Sequence, residues 1–379
     1  MRVLHFYKLA YPQSVGGIEK VVHELAQGCT EQGLVIDVLA LSNDNTVSYF
    51  QIDGYSVDLV TSDFEIASTS FSYKAILKFA ELARQADVIH YHFPWPFMDM
   101  VHFFCGIKKA SVVTYHSDII RQKFLLNFYR PLQYKFLSNV SHIVATSPNY
   151  FSTSSVLKKY QSKVSVIPLG INKIKYPSVD PLKMKHFKEK FGLRFFLFIG
   201  VLRYYKGLEI LLDAAAGTDY PIVILGAGPM ESELKLRAAR LDLKNVFFLG
   251  FLPEVDKISL LMASYCMVFP SHLRSEAFGV SLIEGAMCGK PMISCEIGTG
   301  TSYVNITNET GIVVQPSDPH ALRQAMADLW NDPQMAADMG CKAEERYWKF
   351  FTAKKMVGSY VDLYRKLLEV HAKKGFLSS

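Results

Sequence analysis

The chain is predicted to be an α/β protein made of two Rossmann-like, doubly wound domains facing a common cleft. Three observations predict this. At 379 residues it exceeds what one ordinary core holds. Short β-branched and aromatic runs alternate with helical patterns along its whole length, and strands that are apolar on both faces belong in parallel sheets covered by helices. Between two such series lies NKIKYPSVDPLK (172–183), polar and carrying two prolines, which reads as a linker.

The strands of the first series are VLHFYK (3–8), VIDVLA (35–40), DVIHYH (87–92), SVVTYH (111–116), HIVATS (142–147) and KVSVIP (163–168). Those of the second are FFLFIGV (195–201), PIVILG (221–226), NVFFLG (245–250), CMVFPS (266–271) and PMISC (291–295). The first domain is placed at 1–172 and the second at 178–351. A helical pattern at 345–374, with Trp348, Phe351, Met356, Tyr360, Leu363 and Leu367 near helical spacing, caps the second domain or crosses back to the first as a helix of about 352–379. Ligands of such sheets sit beyond the carboxyl ends of strands, so the loops after strands hold the candidates.

Composition narrows the class. Half the residues are hydrophobic and a fifth are charged, as in a soluble enzyme. A net charge of +6 suits anionic substrates or an anionic membrane surface without requiring either. Nucleic acid is not an expected partner. Six scattered cysteines, with no C-x-x-C and no histidine at metal spacing, are expected to be buried thiols rather than zinc ligands. The opening MRVLHFYKLAYP lacks the regions of a signal peptide, and no apolar run is long enough to span a bilayer. The expected location is the cytosol or its membrane face.

SEAFGVSLIEGAMCGKP (275–291) places Glu276 and Glu284 around a Phe-Gly turn after a strand. A phosphate loop, an acid/base pair and a sugar-nucleotide cradle compete. A Walker loop needs one more residue and a hydroxyl where Pro291 stands. LGAGPME (225–231) has Gly226 and Gly228 but puts Glu231 where a dinucleotide fingerprint needs its third glycine. The helix is expected to begin near Gly279 or Val280 and stop at Gly289, so amides of Phe278, Gly279 and Val280 face a phosphate while the carboxylates accept from sugar hydroxyls. The bland alternative is an amphipathic helix with both glutamates merely solvated. FIGVLRYYKGLEILLDA (198–214) brings Arg203 and Lys206 to a strand-to-helix junction, where they clamp a diphosphate or stand solvated in a loop. Gly16 and Gly17, before a helix, allow close approach to a phosphate or make a plain turn.

Together with DVIHYHFPWP, VVTYHSD, VIPLGI, IGVLRYYKG, LGAGPM and FLGFLP, these motifs resemble retaining GT-B glycosyltransferases of family GT4, from residue 2 to beyond 300. The resemblance implies the GT-B fold. It implies that Glu276 touches the donor sugar, Glu284 holds the ribose, and the segment Ala277, Phe278, Gly279 and Val280 meets sugar and phosphate. Lys206 becomes the phosphate lysine, Gly16 and Gly17 phosphate-facing glycines, and Phe251 and Leu252 the frame of the base. The family's arginine falls at position 201, which is Val201 here, and Arg203 is the substitute because side chains two apart on an extended segment share a face. His116 becomes the catalytic imidazole near the anomeric centre, alongside Glu276, Arg203 and Lys206. Asp118 and Arg121 are acceptor-binding candidates. Of His90 and His92 only one is expected to face the cleft, with no metal-ligand partner near.

The nearest likeness, through HSDIIRQK, GVLRYYKG and EIGTGTSYVN, is to bacterial mannosyl- or rhamnosyltransferases of O-antigen and lipopolysaccharide assembly. It implies GDP-mannose as donor, a lipid-linked glycan as acceptor and other assembly enzymes as partners; no D-x-D stands out as a metal motif, so no metal or other cofactor is expected. The basic and aromatic segment 119–137 fits peripheral contact with anionic lipid or an ordinary amphipathic helix. A UDP-sugar donor and a sugar-nucleotide 2-epimerase are the alternatives.

Overall fold

The computed structural model describes residues 1–14, 16–42, 49–66, 69–119 and 123–377, without the side chains of 123–125 and 374–377. Arg121 lies outside the described residues. The chain divides into two units, Met1–Gly170 with Ala353–Ser379, and Ile171–Thr352.

Among its described residues the first unit holds ten strands: β1 (Arg2–Phe6), β2 (Val35–Ser42), β3 (Tyr49–Ile52), β4 (Tyr55–Thr61), β5 (Phe64–Ile66), β6 (Thr69–Phe71), β7 (Val88–Phe93), β8 (Ala110–Tyr115), β9 (His142–Ala145) and β10 (Val164–Val166). Eight of them form a sheet in the order β10-β9-β8-β7-β1-β2-β4-β3, parallel except for the β3–β4 pair, and β5 and β6 make a small hairpin. β7 and β8 are buried at every residue, as strands covered on both faces are, although they carry His90, His92, Ser111 and Thr114. The order reverses between β1 and β7.

The second unit holds β11 (Phe196–Ile199), β12 (Ile222–Leu225), β13 (Val246–Gly250), β14 (Cys266–Phe269), β15 (Met292–Cys295) and β16 (Gly311–Val314), all parallel in the order β13-β12-β11-β14-β15-β16. Here the reversal falls between β11 and β14, so the loops leaving those two strands flank the crevice where a doubly wound sheet takes its ligand.

Some expectations change. The antiparallel β3 and β4 and the edge strand β16 carry no strong signal between turns and were not expected. The segment read as a linker is a packed part of the second unit: Asn172 caps a short turn, Lys173 pairs with Glu344 at 2.6 Å, and Asp180 caps the helix Pro181–Phe191. The pattern at 345–374 is two helices, Pro333–Phe350 and Ala353–Leu377. The break follows from Phe351, which is buried among aromatic rings while its carbonyl accepts from the Ile171 amide rather than continuing a helix. The second of these helices lies in the first unit, where Val357 sits against Gly28. Among the cysteines Cys341 is exposed, against the expectation that all are buried. No helix among the described residues is long and apolar enough to cross a membrane.

Candidate active site

Two helices of the second unit begin beside its strand-order reversal. Leu208–Ala215 follows Gly207 and Val280–Met287 follows Gly279; both glycines are left-handed, and no side chain caps either helix. Uncapped amides at a helix start favour an anion. A Cβ on Gly207 would lie 2.0 Å from the Pro270 carbonyl oxygen, so the loops after β11 and β14 touch there. The His272 amide also donates to the Tyr205 carbonyl at 3.1 Å.

Within this frame Lys206 and Glu276 are both buried and form an ion pair. The Lys206 ammonium lies 4.7 Å from the centre of the Phe269 ring, and the Ser271 hydroxyl donates to the same Glu276 oxygen at 3.4 Å. Glu284, in the first turns of its helix, is buried too and accepts from Lys257 at 2.7 Å and Tyr176 at 2.9 Å. Burial opposes the Lys257 charge, yet Glu284 and Glu254 outweigh it and raise its pKa. Neither glutamate is solvated, which removes the bland alternative for 275–291. The helix ends as expected, with Gly289 left-handed after Cys288.

Arg203 is exposed, and its carbonyl accepts from the Lys206 amide. It shares a neighbourhood with Glu276 at Tyr205, whose pKa is pushed up to about 12 by burial and by Glu276, against a lowering effect of Arg203. Val201 is 46% exposed and brings no charge there. The Gly226 and Gly228 of LGAGPM serve loop packing rather than a dinucleotide: Cβ atoms on them would lie 2.0 Å from the Gly200 oxygen and 2.6 Å from Leu202 backbone atoms. Gly250 bonds back to the Gly226 amide at 2.8 Å, leaving the next residue, Phe251, 81% exposed, with Leu252 partly covered beside it. The turn Ala277–Gly279 is braced from behind. Gly300 donates to the Ala277 carbonyl at 2.8 Å, its lack of a side chain admits the Phe278 ring, and Arg274 binds the Gly298 carbonyl at 2.8 Å.

In the first unit the carboxyl edge of the sheet presents a buried polar layer. His5 on β1 pairs in register with His90 on β7, and His92 with Thr114 on β8. His116 follows two residues after Thr114, so all five positions share one face. The expectation that only one of His90 and His92 reaches this face is therefore wrong, because residues two apart on a strand point the same way. Nor are they without companions: nitrogens of His5, His90 and His92 fall within 4.8 Å of one another. His116 bonds to His92 at 3.1 Å. Asp118 accepts from the Tyr115 and Ser154 hydroxyls at 2.9 and 3.0 Å. Gly16 and Gly17 begin the helix Gly17–Glu31, but Glu19 folds back over Gly16, so an incoming anion meets a carboxylate first.

Comparison with known proteins decides the family. Residues 15–173 match the model described as Glycosyltransferase Family 4, and residues 182–346 that of Glycosyl transferases group 1. The D-rhamnosyltransferase WbpZ of Pseudomonas aeruginosa is 58% identical over 353 residues, 93% of each chain. The chain belongs to the family 4 glycosyltransferases. The O-antigen chain mannosyltransferase C of Escherichia coli is 47% identical over 97% of this glycosyltransferase and 99% of its own length. Among solved structures, a sucrose-phosphate synthase of Thermosynechococcus elongatus superposes with a TM-score of 0.81 at 20% identity, covering 97% and 99% of the two chains. Anabaena Alr3699/HepE, in complex with UDP and glucose, gives 0.77 at 17% identity, covering 97% and 100%. These likenesses establish the GT-B fold.

Sequence reasoning about this glycosyltransferase missed Lys257, Tyr176, Tyr205, His272 and His5. Lys257 sits on an ordinary amphipathic helix and Tyr176 in the segment read as a linker, so nothing local marks either. His272, whose buried Nδ1 beside Gly207 lacks a partner among the described residues, is hidden in a loop. His5 had a signal: polar residues at alternate positions of otherwise apolar strands in VLHF, VIHYH and VVTYH.

Proposed function

We propose that this glycosyltransferase moves a manno-configured sugar, mannose or its 6-deoxy counterpart D-rhamnose, from a GDP-linked donor to a lipid-linked glycan of bacterial O-antigen. The observation that carries the reading is the buried Lys206–Glu276 pair beside two uncapped helix starts. In the ligand-free chain the two groups neutralise each other. A donor would part them, the ammonium and amides taking the diphosphate and the carboxylate taking sugar hydroxyls, so the leaving group is stabilised as its charge grows. Arg203, at the mouth of the same loop, adds a second cation. Glu284, bonded by Lys257 and Tyr176, takes the ribose, and Phe251 with Leu252 frames the base. The backbone from Ala277 to Val280 lies along sugar and phosphate, and His116 serves the sugar end. The manno configuration is taken from the two named relatives and the O-antigen acceptor from the mannosyltransferase of Escherichia coli, and Asp118 and Arg121 are kept for the acceptor. Transfer is proposed to retain configuration by front-face return, the departing phosphate taking the acceptor's proton, without a metal. Peripheral contact with anionic lipid is kept for the helix Lys123–Asn139, where Phe128 is exposed beside Arg130.

The test is incubation of the full chain with GDP-mannose or GDP-D-rhamnose, a mannosylated lipid acceptor and EDTA. An α-linked product from one donor is expected. A β-linked product would reject retention, loss of product with EDTA would reject metal independence, and product from UDP-sugars alone would replace the donor assignment.

A further inference from the structure

Three imidazoles form a row in the first unit. His5 Nδ1 lies 3.0 Å from His92 Nε2, and His92 Nδ1 lies 3.1 Å from His116 Nε2. Their rings stack at 18° and 20° between successive planes. His90 presses on the row, its ring centre 4.7 Å from His5 and 4.4 Å from His92. Its own nitrogens are held by the Tyr364 hydroxyl at 2.6 Å and the Thr114 hydroxyl at 2.7 Å, and Thr114 bonds in turn to Tyr360 at 2.7 Å. The C-terminal helix thus clamps the row in place.

Every member is fully buried, and burial pushes His5 and His116 down to about 3, with His90 and His92 lowered as well. A neutral imidazole carries one N–H and one lone pair, which leaves two arrangements. If His116 donates from Nε2, His92 must donate from Nε2 to His5, whose proton then sits on its own Nε2. If His5 donates from Nδ1, His92 donates from Nδ1 to His116, whose proton then sits on Nδ1. Mixed arrangements would make His92 an anion or a cation in a dry core. His5 Nε2 is buried without a hydrogen-bond partner among the described residues. The first arrangement strands an N–H donor there, which folded proteins avoid; the second leaves only an unused lone pair.

We infer that the row runs from His5 through His92 and locks His116 as its Nδ1–H tautomer, so that His116 meets its ligand as a hydrogen-bond donor and not as a base. His5 and His92 are then positioning residues. The inference deepens the role given to His116 above and, for its catalytic meaning, rests on that reading. It also agrees with the phosphate, rather than this imidazole, taking the acceptor's proton. A metal held by His5, His90 and His92 would find only the His5 Nε2 lone pair unused, because the hydroxyls of Tyr364 and Thr114 engage His90 and the neighbouring rings engage His92.

The tautomer is read directly, in the ligand-free full chain labelled with ¹⁵N-histidine, by long-range ¹H–¹⁵N correlation with assignments from single substitutions. Protonated Nδ1 and unprotonated Nε2 are expected for His5, His92 and His116. An Nε2–H signal from His116 would overturn the inference, as would stoichiometric zinc uptake that abolishes this pattern. His92→Phe should mix the His116 tautomers and lower kcat on the order of 10–100-fold with little change in donor KM. His92→Asn, whose amide donates from near the Nδ1 position, should restore the single tautomer and most of kcat. A single unchanged Nδ1–H signal in His92→Phe would end the positioning role. Absence of transfer with every donor would count against the proposed function, while the tautomer signals would still decide the inference.

Discussion

At the scale of single residues, the buried charges of the second unit come in pairs, and each half depends on the other. Removing one partner of such a pair leaves an uncompensated charge, at a cost of roughly 3–5 kcal/mol, whereas replacing both by apolar groups costs far less. Glu276→Ala should therefore lower urea stability by about 3 kcal/mol, and the Lys206→Met/Glu276→Leu double variant should lie nearer wild type than either single one. A strictly additive double-mutant cycle would refute the pairing. Glu284→Ala should weaken GDP binding by about 10–100-fold, the worth of a hydrogen bond to a charged group. Wild-type GDP affinity by calorimetry would reject its ribose role. Both carboxylates were legible as site residues because their spacing straddles a strand-to-helix turn. Their cationic partners were less so, since Lys206 and Lys257 lie 70 and 27 residues away along the chain.

At the scale of elements, the geometry depends on loops that approach more closely than side chains allow. Gly207 is left-handed and abuts the Pro270 carbonyl, whereas Gly217, also left-handed, has nothing within 4 Å of its absent Cβ. Gly217→Ala should cost about 1–2 kcal/mol, the conformational penalty alone. Gly207→Ala should cost more and also weaken GDP binding, because the start of Leu208–Ala215 must shift. Equal losses in thermal melts of the two variants would show that the contact between loops carries no weight. The helix start at Val280 and its stop at Gly289 could be read from local residue types. The break at Phe351 could not, because what competes with the helix there is Ile171, brought near only by the fold.

At the scale of the whole molecule, the buried histidines make the first unit sensitive to acid. His5, His90, His92 and His116 stay neutral when folded, His5 and His116 down to about pH 3, while the unfolded chain takes up protons below about 6.5. In that window the unfolded state binds more protons, so stability rises with pH. It is complete above about 6.5 and is lost as pH falls toward 3, by about 1 kcal/mol per pH unit for each histidine. Hydrogen exchange of the first unit should speed markedly between about pH 7 and 5 after correction for intrinsic rates, and His5→Phe should shallow that dependence. A flat profile would contradict it.

The sequence by itself determined that this is a doubly wound α/β chain of two units, because apolar strand runs, turn residues and helix signals are local. It determined as well which loops carry the glutamates and cations, since position relative to strand ends is also local. Only the tertiary structure decided who partners whom: Lys206 with Glu276, Lys257 and Tyr176 with Glu284, and three imidazoles from strands far apart in the chain. Those choices follow from the order in which strands join a sheet and from the helices laid over it, and no short stretch of residues encodes either.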